Sequence, residues 1–567
     1  MLRVITTGEQ NFQTLRKNNF FYIDKTKFIK EWWLGGDPVT LITRPRRFGK
    51  TLMLDTVKTF FSKEYAGQSE LFTGLEIWND AEFRDLQGTI PVIFLSFADI
   101  KSSDFDKTMK LIKARIERIY NLFRSFLDLS TLTDSERKQF DSVSISMDDA
   151  IAQDSLLCLS EYLYRQQSVK PIILLDEYDS PLQEAWLNSY WDKLLEFLRG
   201  FFNSTFKTNF SLGRALITGI TRISKESIFS DMNNIKVVSI TSDLYADCFG
   251  FTEQEVFSAM DEYGLTEKDK VKKWYDGFII GNQKEIYNPW SIINYLSEKK
   301  FSTYWAYTSS NAFVGELIAN GNDIVKEETE RLLHDKSVIT KLDEQVIFHE
   351  LYTKEGAIWS LLMAAGYVKP LSFNYETEMY EIALTNLESK KALEKRISEW
   401  FGNVQVSKNK FISALLQNNL DEMNNWMSDI TKTVFSYFDT KKQKYEKQES
   451  FYHAFVLGLI VDLQQYEITS NGDSGYGRYD IMLIPKNSSD HGIVIEFKTH
   501  NSKKEKNLNV TCSNALKQIY EKEYITKLKT NGILLENIYV YGFAFNGKHV
   551  QILGGNYTDI YWNSFID

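Results

Sequence analysis

Residues 40–52 read Thr-Leu-Ile-Thr-Arg-Pro-Arg-Arg-Phe-Gly-Lys-Thr-Leu and lead from an apolar run into a short turn. After Gly49-Lys50-Thr51, apolar residues recur at helical spacing as far as Phe61. A strand, a loop and a helix in this order are the setting of a phosphate-binding P-loop. In such a loop Gly49 lets a phosphate approach the backbone, Lys50 reaches the terminal phosphates, and Thr51 offers its hydroxyl to Mg2+.

The loop departs from the general pattern G-x-x-x-x-G-K-[ST], because Arg44 stands where the first glycine belongs. Arginine guanidinium groups attract phosphate, so the arginines of the loop are expected to add to the binding of a nucleotide. Gly-Lys-Thr alone also occurs by chance at the start of a helix, and a partner motif is needed. The predicted nucleotide contacts are Arg44, Pro45, Arg46, Arg47, Phe48, Gly49, Lys50, Thr51 and Leu52.

The partner motif is a run of four apolar residues, 172–175, that ends in Asp176 and Glu177. Such a run is typical of a buried parallel strand. Asp176 is expected to join Thr51 in holding Mg2+, and Glu177 to orient or deprotonate the attacking water. The two motifs together predict ATP binding with Mg2+, and hydrolysis is the further expectation.

Further strands are predicted at 90–97, 214–220 and 236–240, alternating with helices such as 106–124. This alternation indicates a mostly parallel sheet and suits the ATPase branch with an additional strand between the two motifs. At the end of the 214–220 strand, Thr218 is a candidate sensor of the γ-phosphate. Arg222 is a candidate arginine finger, acting in cis or from a neighbouring subunit, and the alternative is a solvated loop residue.

A second set of acids lies near the C-terminus, where Asp480 begins one apolar strand and Glu496-Phe-Lys498 lies in the next. Strand alternation puts Glu496 and Lys498 on one face, and a hairpin would bring Asp480 beside them. Two carboxylates form an oxygen site for Mg2+, or Mn2+, and the lysine can hold or activate water for phosphodiester hydrolysis. The pattern Glu-x-Lys alone is weak evidence for such a site, since charged residues commonly alternate along exposed strands.

Two further residues are weighed for this second site. Gln518, in a helix predicted at 514–524, is a candidate phosphate contact, and Glu449 is a candidate further acid. Lysines between 498 and 529 offer a basic surface for phosphates, although interleaved glutamates are equally typical of a solvated face.

The N-terminal run Gly8, Phe12, Leu15-Arg16 and Phe21-Tyr22-Ile23-Asp24-Lys25-Thr26, followed by Thr43 to Leu52, resembles the bacterial AAA-ATPase-like family that carries a C-terminal PD-(D/E)XK nuclease-like domain. In that family Arg-Pro-Arg-Arg-Phe-Gly-Lys-Thr is the habitual loop, so Arg44 fits the resemblance. The set Asp480, Glu496 and Lys498 matches the nuclease pattern with its proline-aspartate half reduced to aspartate. Residues 274–278 and 286–296 resemble the lid that follows the ATPase core of this family.

The expected fold is α/β, with a P-loop ATPase, a helical lid and connector, and a C-terminal α/β restriction-endonuclease-like domain. The predicted domains are the AAA-like core at 1–248, a helical lid or winged-helix-like region at 249–345, a helical connector at 346–440, and the PD-(D/E)XK nuclease-like domain at 441–567. Thr252 to Glu255 forms a capping-box pattern, and amphipathic helices are predicted at 358–367 and 411–438. Phe21 or Tyr22 is a candidate for stacking on adenine, and packing against the sheet is at least as good an alternative.

The amino-acid composition indicates the cellular compartment of the protein and the kinds of partner it can bind. The net charge is −10, so any contact with nucleic acid must come from a local patch. The 3 cysteines lie far apart and form no C-x-x-C pair, which suits a reducing cytoplasm. No apolar stretch approaches the ~20 residues that span a bilayer, so a soluble cytoplasmic protein without a membrane partner is expected.

The first functional hypothesis is an ATP-binding, ATP-hydrolysing protein coupled to a Mg2+-dependent nuclease-like domain that acts on DNA. The alternative is an ATP-driven switch or scaffold whose tail binds nucleic acid or protein without cleavage. A metabolic kinase is disfavoured, because no acceptor-binding constellation accompanies the P-loop. An arginine finger acting in trans would require a homo-oligomer, and this remains open.

Overall fold

The computed structural model describes residues 2–223, 228–229, 232–305, 317–318, 323–343, 345–346, 351, 354, 356–400, 405–434, 445–460, 463–487, 489–547, 549–560 and 562. The chain forms two compact units. The first comprises Met1–Asn311 and Asp335–Ala392, and the second Ala312–His334 and Leu393–Asp567.

The described helices are α1 (Phe12–Lys17), α2 (Lys27–Gly35), α3 (Lys50–Phe61), α4 (Ala81–Leu86), α5 (Phe105–Phe123), α6 (Asp134–Ser142), α7 (Asp149–Gln167), α8 (Ser180–Leu187), α9 (Trp191–Phe202), α10 (Glu253–Glu262), α11 (Lys268–Tyr275), α12 (Pro289–Glu298), α13 (Asp323–Leu333), α14 (Ala357–Ala365), α15 (Leu387–Trp400), α16 (Gln405–Leu416), α17 (Leu420–Val434), α18 (Tyr445–Ile460), α19 (Leu508–Glu521) and α20 (Thr526–Thr530).

The described strands are β1 (Val39–Thr43), β2 (Val92–Ser96), β3 (Ile172–Asp176), β4 (Arg214–Gly219), β5 (Arg222–Ile223), β6 (Ile235–Val238), β7 (Phe251–Thr252), β8 (Phe278–Ile280), β9 (Gln283–Tyr287), β10 (Val338–Thr340), β11 (Gln345–Val346), β12 (Val368–Asn374), β13 (Met379–Leu384), β14 (Tyr466–Ser474), β15 (Gly477–Pro485), β16 (Gly492–Thr499), β17 (Ile538–Asn546) and β18 (His549–Asn556).

The first unit is built on a five-stranded sheet in the order β2-β3-β4-β1-β6, and all of its strand pairs are parallel. Strands β1 and β3 are buried along their whole length, because helices cover both faces of such a sheet. Strand β4 separates β1 from β3, which confirms the expected branch with an additional strand. The carboxyl ends of β1, β3 and β4 therefore meet at one edge, where α3 begins.

Apolar packing follows the predicted spacing in α3, whose inward face joins the core under the sheet. The aromatic residues that precede the loop also serve in packing. Phe21 lies edge-on to Tyr263 with ring centroids 5.7 Å apart, and Tyr22 lies edge-on to Phe12 at 5.6 Å. For these two rings, packing accounts for their position without a nucleotide.

The segment after the sheet agrees in part with the expected helical lid. Thr252 and Glu255 form the predicted capping box at the start of α10. Helices α10, α11 and α12 accompany a small sheet in the order β7-β9-β8. A second antiparallel sheet, in the order β10-β13-β12, lies partly in the stretch 346–440, which was expected to be a mostly helical connector. That expectation was wrong for β12 and β13.

The predicted helix over 411–438 was also wrong as a single element within its described part, because α16 ends at Leu416 and α17 begins at Leu420. Asn418 adopts a left-handed backbone with φ 57°. The next residue, Asn419, accepts a hydrogen bond from the Glu422 N–H through its side chain at 3.2 Å. Asparagine tolerates both arrangements, so the Asn-Asn pair ends one helix and caps the next.

A buried carboxylate, Glu388, holds three parts of the first unit together near the start of α15. Its Oε1 accepts from the N–H groups of Tyr304 at 2.5 Å and Trp305 at 2.9 Å, and its Oε2 accepts from the Ser291 hydroxyl on α12 at 2.7 Å. Burial raises the pKa of Glu388 to about 8, although these hydrogen bonds favour the charged form. The folded protein therefore favours the neutral acid near neutral pH.

We expect Glu388→Gln to remove a pH-dependent loss of stability. The ordinary pKa is 4.5 and the folded one is about 8. The folding advantage of the neutral acid is thus greatest below pH 4.5 and is lost as the pH rises through 8, by roughly 1 kcal/mol per pH unit. Glutamine keeps an acceptor for the two N–H groups, and its amide can donate to Ser291. Thermal unfolding of both proteins from pH 5 to 9 should show the variant gaining relative to wild type, and parallel curves would contradict this assignment.

The second unit contains a mixed sheet in the order β14-β15-β16-β17-β18, with β16 and β17 parallel and the other pairs antiparallel. Helices α16, α17 and α18 pack on one face through residues such as Phe411, Met427 and Val456. Helices α19 and α20 pack on the other face through Leu516 and Leu528. Alternate strand residues therefore enter different cores, which confirms an α/β arrangement at the C-terminus.

Within the described residues, no helix combines the length and the apolar character needed to cross a bilayer.

Candidate nucleotide and metal sites

The P-loop folds over the side chain of Lys50. Gly49 precedes α3 with a left-handed φ of 80°, and Arg47 also has a positive φ of 65°. The Lys50 ammonium donates to the carbonyl oxygens of Arg44 at 2.9 Å and Pro45 at 2.8 Å. Because Lys50 is buried, its pKa is lowered to about 8. The lysine is thus enclosed by the loop, at the N-terminus of α3.

Arg44 is fully buried, and within the described part of the chain its guanidinium donates to backbone carbonyls. The acceptors are the carbonyl oxygens of Thr43, Val238, Ser239, Leu244 and Tyr245, at distances of 2.7 to 3.4 Å. Burial lowers its pKa to about 10. The side chain that replaces the usual glycine therefore ties the loop to the chain beyond β6, and any contact of Arg44 with a nucleotide would come from its backbone.

The Asp176 carboxylate accepts a hydrogen bond from a threonine hydroxyl at each of its two oxygens. Thr51 donates to its Oδ2 at 2.9 Å, and Thr218 donates to its Oδ1 at 2.8 Å. Burial raises the pKa of Asp176, against the opposing effect of these hydrogen bonds. Three residues selected from separate motifs thus meet at the sheet edge. A hydroxyl and a carboxylate beside a buried lysine are oxygen donors that fit Mg2+ with a triphosphate.

Glu177 follows directly with φ 51°, a conformation that non-glycine residues rarely adopt. Its Oε2 accepts from the Ser180 hydroxyl at 2.9 Å. Strained backbone of this kind clusters at functional sites. The conformation suits a carboxylate that must be held beside the loop.

The other loop residues face different surroundings. Arg47 is exposed and lies over the Trp290 ring, 4.4 Å from its centroid. Phe48 is buried against Phe278, with ring centroids 4.8 Å apart. The Asn288 side chain, which caps α12, donates to the Arg46 carbonyl at 3.1 Å. The loop is therefore in direct contact with the start of α12. Pro45 is buried, and Leu52 is partly buried on the core.

Arg222 lies in β5, where its backbone pairs in parallel with Gln345 of β11. Its side chain lies outside the described part of the structure. The arginine-finger assignment of Arg222 remains a prediction.

In the second unit, β15 and β16 form the expected hairpin. Ile481 pairs with Ile495, which brings Asp480 beside Glu496 on the face covered by α19. The Phe497 N–H donates to Asp480 Oδ2 at 2.8 Å, and the Lys498 ammonium lies 3.5 Å from Glu496 Oε1. The hypothesis that these residues converge agrees with this geometry.

Both carboxyl groups are buried, since Glu496 is only 1% exposed and burial raises the pKa of Asp480. His453, the Phe497 N–H and Lys498 act in the opposite direction on that pKa. Two adjacent buried carboxyl groups with one nearby lysine favour a further positive charge. The donor set is all oxygen and fits Mg2+ or Mn2+.

Gln518 lies in α19, as predicted, and its amide donates to Glu496 Oε1 and to the Tyr524 hydroxyl, the latter at 3.0 Å. The described contacts of Gln518 therefore position Glu496, and its contact with a phosphate remains a prediction. Two neighbours were not predicted. They are Tyr524 and His453, whose Nε2 lies 3.1 Å from the Asp480 carbonyl oxygen. For His453, the available signal was a lone polar residue within the apolar run of α18.

The remaining expectations at this site have mixed support. The Glu449 side chain lies outside the described residues. Lys503, Lys504 and Lys506 are exposed, as a phosphate-binding surface requires. The nearby Glu505 accepts from Thr511 and Asn514 in its own domain, at 2.8 Å and 2.7 Å. Lysines here are therefore not all neutralised by interleaved glutamates.

Comparison with known families gives the class of each domain. Residues 6–229 match the family described as predicted AAA-ATPase, and residues 447–554 match the PD-(D/E)XK nuclease superfamily. The chain carries an AAA-ATPase-like domain at its N-terminus and a PD-(D/E)XK nuclease superfamily domain at its C-terminus. The resemblance found in the sequence motifs is confirmed.

A relative aligns with this chain along nearly its whole length. The chain is 22% identical over 560 residues to an uncharacterized protein in the vnfD 5′ region of Azotobacter chroococcum. The alignment covers 96% of this chain and 97% of the relative.

Proposed function

We propose that the chain is a Mg2+-dependent ATPase whose nucleotide state controls a metal-dependent nuclease domain acting on DNA. The observation that carries the proposal is a buried carboxylate in each of the two domains that lies among polar groups suited to a metal ion and a phosphate. Thr51 and Thr218 meet at Asp176 in one. Asp480, Glu496 and Lys498 share one strand face in the other.

At the nucleotide site, Lys50 binds the terminal phosphates and Thr51 and Asp176 hold the metal. Glu177 orients water and accepts its proton, while Thr218 keeps Asp176 in place. When bound, Mg2+ supplies Lewis-acid neutralisation of phosphate charge at this site and at the nuclease site. The backbone N–H groups at the start of α3 add to the attraction of the anion.

At the nuclease site, Asp480 and Glu496 are the proposed metal ligands. Lys498 holds the attacking water or neutralises charge on the phosphodiester, and Gln518 positions Glu496. The exposed lysines nearby would bind the DNA backbone. A chain with a net charge of −10 needs such a local basic surface to bind DNA. A cytoplasmic location is part of the proposal, supported by three cysteines that are free thiols.

The test is an incubation of the protein with circular and linear DNA, Mg2+ or Mn2+, and ATP present or absent. We expect metal-dependent cleavage whose rate changes when ATP is added. Glu177→Gln should keep ATP binding and block hydrolysis, so it separates the effect of bound ATP from that of turnover. ATP-dependent binding of DNA without cleavage under any metal would favour the switch or scaffold alternative. Cleavage unaffected by ATP would remove the proposed control.

A further inference from the structure

Arg46 is a half-buried cation in the P-loop whose charge has no carboxylate partner among the described residues. Its guanidinium makes a single hydrogen bond within that part of the chain, to the Gln183 side-chain oxygen at 3.1 Å. Arginine carries five N–H donors, so most remain for another acceptor. Burial lowers the pKa of Arg46, while Glu177 and Asp179 favour its charged form.

The position of Arg46 relates it to the predicted catalytic groups. The positive charge of Arg46 contributes to lowering the pKa of Lys50, whereas the Glu177 carboxylate favours the charged form of both cations. Two like charges held close to one another repel, so the arrangement favours an anion between them. The terminal phosphate of a nucleotide bound by Lys50 is such an anion.

Gln183 holds the Arg46 guanidinium, and Asp179 holds the Gln183 amide. Asp179 and Gln183 are one helical turn apart at the start of α8, and the Gln183 amide donates to Asp179 Oδ2 at 3.2 Å. The same oxygen accepts from the N–H groups of Ile220 and Thr221, at 3.1 Å and 2.9 Å, and from the Thr221 hydroxyl at 2.7 Å. Asp179 is only 1% exposed. A continuous set of hydrogen bonds thus connects the P-loop arginine to the chain that follows β4.

We propose that Arg46 acts in cis as the arginine that neutralises the charge developing on the terminal phosphate of a nucleoside triphosphate, with Gln183 and Asp179 as positioning residues. This inference rests on the proposed ATPase function. It assigns to the P-loop itself the role for which Arg222 was the candidate. Gln183 fixes the guanidinium, and Asp179 fixes Gln183 relative to the end of β4.

The reaction is hydrolysis of the triphosphate. A bond forms between a water oxygen and the γ-phosphorus, and the bond from that phosphorus to the β,γ-bridging oxygen breaks. The water proton passes to the Glu177 carboxylate and then to solvent, and the products are nucleoside diphosphate and inorganic phosphate. Arg46 donates hydrogen bonds to the γ-phosphate oxygens as their charge shifts toward the leaving oxygen.

The experiment compares full-length Arg46→Ala with wild type for affinity to ATP and to ADP and for the rate of ATP hydrolysis. Arg46→Ala should lower kcat by about 100-fold or more. It should also lower the ratio of ATP affinity to ADP affinity, because only ATP carries the contacted phosphate. Arg124→Ala is the matched control, since Arg124 is exposed and pairs with Asp141 at 2.8 Å. It should leave all three quantities unchanged.

The positioning residues have their own readout. Gln183→Leu should lower kcat by about 10-fold with little change in the KM for ATP, because it displaces the guanidinium without removing it. Asp179→Asn keeps an acceptor oxygen for its donors and should lower kcat less than Gln183→Leu does. Equal losses in both variants, together with a lower Tm, would indicate a purely structural role and overturn this part.

The result also distinguishes the possible failures. A wild-type protein that neither binds nor hydrolyses ATP would refute the proposed function itself. Wild-type hydrolysis with an equally active Arg46→Ala would refute this inference alone. Action in cis further requires that turnover per protein molecule stays constant as the protein concentration is raised. If turnover per molecule instead increases with concentration, and Arg222→Ala loses ATP hydrolysis, the role belongs to an arginine supplied in trans.

Discussion

We expect a Lys50→Ala protein to gain no thermal stability from Mg-ATP, whereas the wild-type protein should melt at a higher temperature when the nucleotide is present. A ligand at about 100 times its Kd stabilises the folded state by about 2.7 kcal/mol. Lys50 is the buried ammonium enclosed by the P-loop, and its loss removes the positive charge nearest the predicted phosphates. Calorimetric or dye-based melting with and without Mg-ATP measures the difference.

Each protein must be compared with its own nucleotide-free baseline, because Lys50 also bonds two loop carbonyls and its removal lowers the starting stability. Lys58→Ala is the control from the same helix, since Lys58 pairs with Glu64 at 3.3 Å away from the loop. It should keep the full nucleotide shift. A shift of wild-type size in Lys50→Ala would remove the P-loop assignment.

The second large effect is expected in the C-terminal domain, where Lys498→Ala should lower metal-dependent DNA cleavage by about 100-fold or more, since general acid–base and electrostatic groups contribute on this scale. DNA binding should persist, because the exposed lysines around residue 504 are unchanged. Glu496→Gln should lower cleavage likewise and should raise the concentration of Mg2+ or Mn2+ required. Cleavage of labelled DNA and a separate binding measurement distinguish the two steps.

Lys486→Ala serves as the control here. Lys486 is an exposed lysine of the same domain, and it donates only to the Gln464 carbonyl, at 2.7 Å, within the described residues. It should cleave like wild type, and chelation of metal should stop cleavage in both. A Lys498→Ala protein that cuts as fast as wild type would refute the assigned catalytic lysine.

The sequence predicted the parts of these sites that depend on local periodicity. Strand alternation placed Glu496 and Lys498 on one face, and the short connection between β15 and β16 made a hairpin with Asp480 the natural pairing. The carboxyl ends of parallel strands share one edge, so Asp176 and Thr218 were expected near Thr51. These positions follow from the geometry of single strands and of neighbouring parallel strands, without knowledge of contacts between distant parts of the chain.

Other features depended on contacts that no local pattern contains. Arg44 lies 195 residues from Ser239, to whose carbonyl it donates, so its burial was not predictable from the loop. Strand β12 was missed because Pro370 interrupts it and its pairing with β13 is irregular between Pro370 and Ser372. The contacts of Gln183 with Arg46 and Asp179 were not predicted, because neither Gln183 nor Asp179 belongs to a recognisable sequence motif.

The burial of Arg44 also limits which residues can occupy this position of the loop. Returning the position to glycine in one step would orphan carbonyl oxygens belonging to distant segments, although it would restore the commoner motif. A glycine at position 44 would therefore also need other donors for the carbonyl oxygens of Ser239 and Tyr245.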